Sequence, residues 1–86
     1  MWVKTRAGLV NLDLCTDVYI SDFYFKNELP KYTLIATKFW ENGNRNIKLE
    51  TYDTIDDARE AYAYLCQCLA LNAALCDLPT KGASKP

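Results

Sequence analysis

The sequence predicts an α+β fold, with an antiparallel β-meander of about four strands and one long C-terminal helix packed on one face. Short runs of β-branched and aromatic residues extend as far as Tyr52, and an Asn-Gly pair divides the last two of them. A capped, strongly apolar helical segment follows these runs. The 86 residues fit a single domain, which we assign to 1–78. We predict that the polar residues 79–86 form a flexible tail.

The first three predicted strands occupy residues 1–5, 9–12 and 15–26. A turn at Ala7-Gly8 joins the first two, and a loop at 27–30 follows the third. Side chains alternate between the two faces of a strand, so Val18 and Ile20 share the inward face of the third strand. Its outward face then carries Tyr19, Phe23 and Phe25.

The clearest predicted hairpin joins a strand at 31–40, "KYTLIATKFW", to a return strand at 45–52. Asn42 and Gly43 form its turn, because both residues tolerate the positive φ of a type I′ turn. The turn predicts a register that pairs Lys38 with Ile47, Ala36 with Leu49, and Leu34 with Thr51. The core face then carries Leu34, Ala36, Ile47 and Leu49. The opposite face carries Ile35, Thr37, Phe39, Lys48 and Glu50.

The predicted helix begins with Asp53 or Thr54 as its N-cap and extends to about Asp77, before Leu78-Pro79. At 100° per residue, it has two apolar stripes. The sheet-facing stripe comprises Ile55, Ala58, Tyr62, Leu65, Leu69, Ala73 and Cys76. The second stripe comprises Ala61, Tyr64, Cys68, Leu71 and Leu75. We expect the second stripe to bind another copy of the chain through Tyr64, Cys68, Leu71 and Leu75; the alternative is that the tail or the N-terminal strands cover it.

Composition argues against several classes of function. A net charge of −1 without a basic run argues against broad nucleic-acid binding. No apolar run is long enough to cross a membrane, and the N-terminus does not have the pattern of a signal peptide. We therefore expect the protein in a reducing cytoplasm. Cys66 and Cys68 point about 200° apart on a helix, so we expect the four cysteines to pack rather than to bind metal.

Catalytic groups are scarce, and we expect a protein that is not an enzyme and needs no cofactor. The chain has no histidine, the usual general base near neutral pH, and its only serines are Ser21 and Ser84. A ring beside a cation suits a small anionic, nucleotide-like ligand. The candidate ligand-binding residues are Lys38, Trp40, Arg45, Tyr32, Lys4 and Arg6. The predicted hairpin places Trp40 opposite Arg45; ordinary sheet packing is the alternative role for each of these residues.

Five short motifs, "MWVKT", "LVNLD", "VYI", "YTLIA" and "YDTIDDAREAYAYL", occur in an order that resembles a family of small uncharacterised proteins. That family comes from phages, prophages and Gram-positive bacteria, and the resemblance covers about residues 2 to 70. It implies a small α+β domain in the cytoplasm of a bacterial host cell and supplies no catalytic residues. The apolar, cysteine-bearing end of the helix departs from the family pattern.

The phage resemblance and the small size together lead to three functional hypotheses. The first is a non-catalytic homo-oligomeric protein that counters host defence by sequestering an anionic, nucleotide-like ligand. The second is an inhibitor that masks a protein of a host defence machine, as anti-CRISPR proteins do. The third is a structural or interaction module without a small ligand.

Overall fold

The computed structural model describes residues 1–24, 26–40 and 43–84, without the side chains of Phe39 and Trp40. Its elements, in chain order, are β1 (Trp2–Thr5), β2 (Gly8–Asn11), a 3₁₀ turn (Leu12–Leu14), β3 (Cys15–Phe23), β4 (Lys31–Trp40), β5 (Gly43–Tyr52), α1 (Ile55–Ala70) and β6 (Leu75–Asp77). The α+β class is confirmed. The side chain of Phe25, which we predict to face outward, lies outside the described residues.

The strands form two three-stranded sheets. The first sheet has the order β2-β1-β6, in which β1 is antiparallel to β2 and parallel to β6. The second sheet is the antiparallel meander β3-β4-β5. The meander is therefore present with three strands rather than about four, and the two N-terminal strands belong to the first sheet together with β6.

One core joins the helix to the inner faces of both sheets. Val3 of β1 and Cys76 of β6 are adjacent in the first sheet, and both are fully buried. Leu34 and Ala36 of β4 are buried against α1, which contributes Leu65. Val18 and Ile20 also pack against this core from β3, as the alternation of the sequence predicts.

The predicted register of the β4–β5 hairpin is wrong. Lys38 lies opposite Arg45 and Ala36 lies opposite Ile47, a shift of two residues that preserves which side chains face inward. The pairing then shifts again, because an extra residue in β5 forms a bulge opposite Leu34 and Ile35. The predicted turn residue Asn42 lies outside the described residues, as does Glu41.

The bulge also changes the face on which Glu50 lies. Glu50 is paired with Leu34, a core residue, and its side chain is buried, whereas the sequence predicts it on the outer face. Leu49 stays in the core as predicted. One extra residue reverses the alternation of the remaining strand, so Tyr52 is also directed into the core.

The helix begins as predicted and ends earlier. Thr54 is the N-cap, and its hydroxyl accepts a 3.1 Å hydrogen bond from the Asp57 amide. At the other end Asn72 adopts a φ of 55°, and the Ala73 amide donates to the Cys68 carbonyl at 2.9 Å. A left-handed residue after the helix, followed by an amide that donates to the carbonyl five residues earlier, is a Schellman cap. The prediction that the helix extends to about Asp77 is wrong, since residues 75–77 form β6.

The segment at 79–84, part of the predicted flexible tail, lies along β5. The Ser84 amide donates to the Thr51 carbonyl at 2.7 Å, and Tyr52 and Ala83 form an antiparallel bridge. The buried Tyr52 hydroxyl donates to the Pro79 carbonyl at 2.7 Å. Flexibility of this segment stays a prediction, but its described part contacts the domain at several points.

Candidate functional site

The second apolar stripe of the helix does not remain exposed as a unit. Ala61 is fully buried and Cys68 is 8% exposed, because α1 turns the line Ala58–Ala61–Leu65–Cys68 towards the core. The predicted place of Cys68 in an oligomer interface is therefore wrong. Tyr62 and Leu69, predicted to face the sheet, are exposed instead. The buried face of the helix lies between the two predicted stripes. The sequence therefore correctly predicts more apolar residues than the core can bury, but it assigns the wrong residues to the buried face.

The surplus apolar surface lies mainly on the outside of the first sheet. Trp2 is 49% exposed and is paired with Leu75, which is 53% exposed. Lys4 is the next residue of β1 on the same face as Trp2. It lies between Leu9 on β2, which is 61% exposed, and Asp77 on β6. Paired residues share a face of a sheet, so these five side chains lie together. We call Trp2, Lys4, Leu9, Leu75 and Asp77 the outer apolar face.

Two further residues of the predicted interface are exposed. Leu71 caps the end of α1, four residues before Leu75, and is 82% exposed. Tyr64 is exposed on α1, and interactions with Cys68, Cys76 and Asp77 raise the pKa of its phenol. Three of the four predicted interface residues, Tyr64, Leu71 and Leu75, are thus exposed, and Leu75 belongs to the outer apolar face.

Among the described side chains, the predicted ligand-binding residues do not converge on one pocket. Lys38 lies opposite Arg45, but Trp40 lies opposite Gly43 rather than Arg45, and its side chain is outside the description. Tyr32 lies six residues from Lys38 on β4, which corresponds to about 20 Å along a strand. Lys4 belongs to the other sheet. Only the Lys38–Arg45 pair retains the predicted proximity of cationic side chains.

Arg6 is held in a specific ion pair instead of being available to a ligand. Its Nε and Nη2 donate to Oε1 of Glu50 at 3.0 and 2.6 Å, and the Arg6 amide contacts Oε2 of Glu50 at 3.5 Å. The same Nη2 donates to the Ser84 carbonyl at 2.5 Å. The hydrogen bond to Glu50 raises the pKa of the guanidinium. Arg6 thereby ties the β1–β2 turn, β5 and the C-terminal segment together.

A cleft of about 440 Å³ lies beside this ion pair. Its lining consists of Arg6, Ala7, Lys48, Leu49, Glu50, Thr51 and Ser84. The sequence gives little sign of this site, since Glu50 enters it only through the bulge and Arg6 and Glu50 lie far apart in the chain. A paired Arg and Glu in a cleft can position a polar group, but here each satisfies the other, so the arrangement serves first to join three segments.

A second cavity, of about 260 Å³, separates α1 from β3 and the 3₁₀ turn. Leu12, Val18, Leu65 and Leu69 make it largely apolar, and Cys15 and Cys66 also line it. All four cysteines are free thiols. Burial raises the pKa of the Cys15 thiol and raises that of Cys76 to about 12, so neither is activated as a nucleophile.

Three comparisons with known proteins found no match. Family models, curated proteins and solved structures yielded no match to the chain. Within residues 1–24, 26–40 and 43–84, no cluster of three or more acidic or cysteine side chains could hold a metal ion. The helix in the described part of the chain is not long and apolar enough to cross a membrane.

Proposed function

We propose that this chain is a non-catalytic binding protein that acts through protein–protein contact, and that it assembles with a second copy through the outer apolar face. The observation that supports this most strongly is the exposed pair Trp2 and Leu75 on the solvent side of the first sheet, with the exposed Leu9 on the same face, opposite Lys4 and diagonal to Trp2. A contiguous exposed apolar patch of this kind marks an interaction site in soluble proteins.

The charges on the face suit a copy of itself. Lys4 and Asp77 are neighbours across β1 and β6. In a two-fold interface every contact occurs twice, so if Lys4 of one protomer lies against Asp77 of the other, the reciprocal contact forms as well. Burial of each Leu side chain contributes roughly 1.5–3 kcal/mol, and Trp2 contributes a large additional area. The face is thus self-complementary in both apolar area and charge.

Sedimentation equilibrium over a wide concentration range tests this assembly. The parent chain is expected to dimerise, and Leu75→Asp is expected to remain monomeric, because it buries an unpaired carboxylate beside Trp2. Leu29→Asp is the matched control: Leu29 is 83% exposed and lies in the β3–β4 loop, away from the face. A parent chain that is monomeric at high concentration contradicts self-assembly and favours the masking of another protein by the same face.

Binding of a small anion is a second candidate, favoured by one specific observation. Lys38 and Arg45 lie directly opposite each other on β4 and β5, so two cationic side chains share one face of the sheet and can approach the same anion. A nucleotide-like ligand with a phosphate suits such a pair. We propose this site as the location of any ligand that the protein sequesters, including one used in host defence.

Calorimetric titration with a panel of cyclic and linear nucleotides tests the second candidate. Arg45→Glu is expected to weaken binding and to leave thermal stability nearly unchanged, because Arg45 is exposed. Arg59→Glu, an exposed charge reversal on α1, is the matched control. If no nucleotide binds the parent chain at millimolar concentration, ligand sequestration fails and the protein-contact function stands alone.

A further inference from the structure

One edge of the second sheet is only partly covered. The order β3-β4-β5 leaves β5 with β4 on one side and a free edge on the other. The C-terminal segment adds to that edge at its end, through Ser84 on Thr51, Ala83 opposite Tyr52 and the Gly82 carbonyl, which accepts from the Asp53 amide at 3.0 Å. Among the described residues, no strand pairs with the rest of this edge, from Gly43 to Lys48.

The uncovered part of the edge is long enough to pair with another strand. Six residues of β-structure extend about 20 Å, the length of an ordinary strand. An edge of this kind presents backbone N–H and C=O groups that an extended chain can pair with. The C-terminal segment shows that the edge accepts an antiparallel partner at its other end. The 440 Å³ cleft, lined in part by Lys48 and Thr51, lies where such a strand would approach that segment.

Exposed cations flank the uncovered part on both faces of the sheet. Arg45 is paired with Lys38 and Lys48 is paired with Ile35, so their side chains lie on opposite faces. Both are exposed, and in the described part of the chain neither forms an ion pair. The Lys48 ammonium lies 6.0 Å from the centre of the Phe23 ring on β3, a weak cation–π contact that an exposed Lys can exchange for a carboxylate of an added strand. Among the described residues, the carboxylates of Glu50 and Asp53 near β5 are engaged, Glu50 by Arg6 and Asp53 by Lys31, each at 2.6 Å. In its described part, the free edge therefore carries exposed positive charge.

We propose that the β5 edge binds an extended acidic segment of another protein as an added strand. A strand that pairs with β5 places one residue opposite Arg45 and another, three positions away, opposite Lys48. The spacing that suits the edge is thus an acidic residue, two intervening residues and a second acidic residue. The backbone bonds hold the segment and the two cations select its sequence. This proposal is independent of the outer apolar face, which lies on the other sheet.

Charge decides between this partner and a second copy of the chain. Antiparallel pairing of two β5 edges would bring Arg45 and Lys48 close to the same cations of the other protomer. Like charges across neighbouring strands are destabilising. Edge cations also oppose uncontrolled pairing, as in many sheet proteins, which fits an edge that is selective for acidic partners.

Fluorescence anisotropy with labelled hexapeptides tests the proposal. The probe is Thr-Glu-Thr-Val-Glu-Thr, in which the glutamates are three positions apart, and its match in composition is Thr-Thr-Glu-Val-Glu-Thr, in which they are two apart. We expect the second peptide to bind about threefold more weakly, because one of its glutamates lies on the wrong face. N-methylation of alternate amides in the first peptide is expected to abolish binding, because it blocks strand pairing and leaves the charge unchanged.

Charge reversal in the protein provides the complementary test. Arg45→Glu combined with Lys48→Glu is expected to weaken binding of the acidic probe at least about tenfold and to create binding of the peptide with lysines in place of glutamates. Arg59→Glu is the control on the helix. Equal binding of the N-methylated and unmodified probes overturns strand addition. The proposal is also overturned if the parent chain does not bind the acidic probe at about 1 mM. It is overturned as well if the parent chain dimerises and Lys48→Glu changes the dimerisation constant, because the edge would then pair with a second copy.

Discussion

The two sheets are assembled from different parts of the chain. The second sheet joins three strands that follow one another in sequence, from Cys15 to Tyr52, by local antiparallel pairing. The first sheet joins an N-terminal hairpin to β6, which lies beyond the helix and pairs in parallel with β1. Local pairing can form from sequence neighbours, whereas the first sheet can be completed only after the helix has returned the chain to β1.

The outer faces of the two sheets also differ in how much apolar surface they expose. The outside of the second sheet is occupied largely by its own side chains: Thr33 and Thr37 are buried, and the Thr33 and Thr51 hydroxyls lie 3.0 Å apart. The outside of the first sheet leaves Trp2 and Leu75 in water. Among the described side chains, the first sheet thus carries most of the exposed apolar area of the two outer faces, and Tyr19, which is 38% exposed, is the exception on the second sheet.

The largest effect is expected from the core that both sheets share. Leu34→Ala removes a fully buried side chain and is expected to lower the free energy of unfolding by about 3 kcal/mol. Urea denaturation should show one transition for both sheets, and Leu29→Ala, at an exposed position, should change stability by less than about 0.5 kcal/mol. Two separate transitions would mean that the sheets do not share a core.

The attachment of the C-terminal segment to the second sheet depends on Gly82. This residue has a φ of 74°, and a methyl group added there would collide with the Asp57 carboxylate. Gly82→Ala is therefore expected to cost about 2 kcal/mol and to accelerate hydrogen exchange at the Ser84 and Asp53 amides. Lys81→Ala is the control. Unchanged stability and exchange in Gly82→Ala would support a flexible tail.

The helix stop at Asn72 determines whether the first sheet gains its third strand. Asn72→Ala is expected to cost about 1 kcal/mol, because a side chain with Cβ is strained at a positive φ and Asn tolerates it best after Gly. Asn72→Gly should match or exceed the parent in stability. The β6 amides should exchange faster in Asn72→Ala than in the parent chain, whereas they should exchange at the parent rate in Asn72→Gly. Equal behaviour of the Ala and Gly variants would argue against the left-handed cap.

The smallest effect at neutral pH concerns the buried thiol of β6. Burial raises the pKa of Cys76 to about 12 and also raises the pKa of the Tyr52 phenol. Both groups are neutral in the native state, so their contribution is fully present at pH 7 and is lost as the pH rises above about 9. Urea denaturation from pH 7 to pH 11 measures this fall.

Cys76→Val is expected to make that alkaline fall shallower, since one of the two groups is removed. Cys66→Ala, a change at an exposed cysteine on α1, is the control and should leave the slope as in the parent. Thiol labelling at pH 8, read by mass spectrometry, should modify Cys66 before Cys76. Equal labelling rates would show that β6 opens readily and that the first sheet is not a stable unit.

The fold was accessible from the sequence where local chemistry determines it. The alternation around Val18 and Ile20 and the capping side chain of Thr54 each act within a few residues, and the structure bears them out. The bulge beside Glu50 and the strand at 75–77 were not accessible in this way. The first depends on how β5 fits β4, and the second is masked by apolar residues that continue the helical pattern beyond Asn72.

The candidate sites were accessible only in part, for a related reason. Apolar surplus is a property of composition, so Leu71 and Leu75 were found as exposed surface, even though Leu75 lies on a strand rather than on the helix. The partner of Arg6 was not found, because Glu50 lies far away in sequence and enters the cleft through the bulge. Phage origin and a role against host defence stay predictions.

A dilution series of ¹⁵N–¹H correlation spectra tests the central claim most directly, because it locates the self-association surface residue by residue. We expect the amides of Lys4, Leu9 and Leu75 and the indole of Trp2 to shift with concentration. We expect the amides of Arg45 and Lys48 to stay fixed until the acidic peptide is added. Concentration-dependent shifts at the β5 edge with an unchanged Trp2 indole would contradict the account.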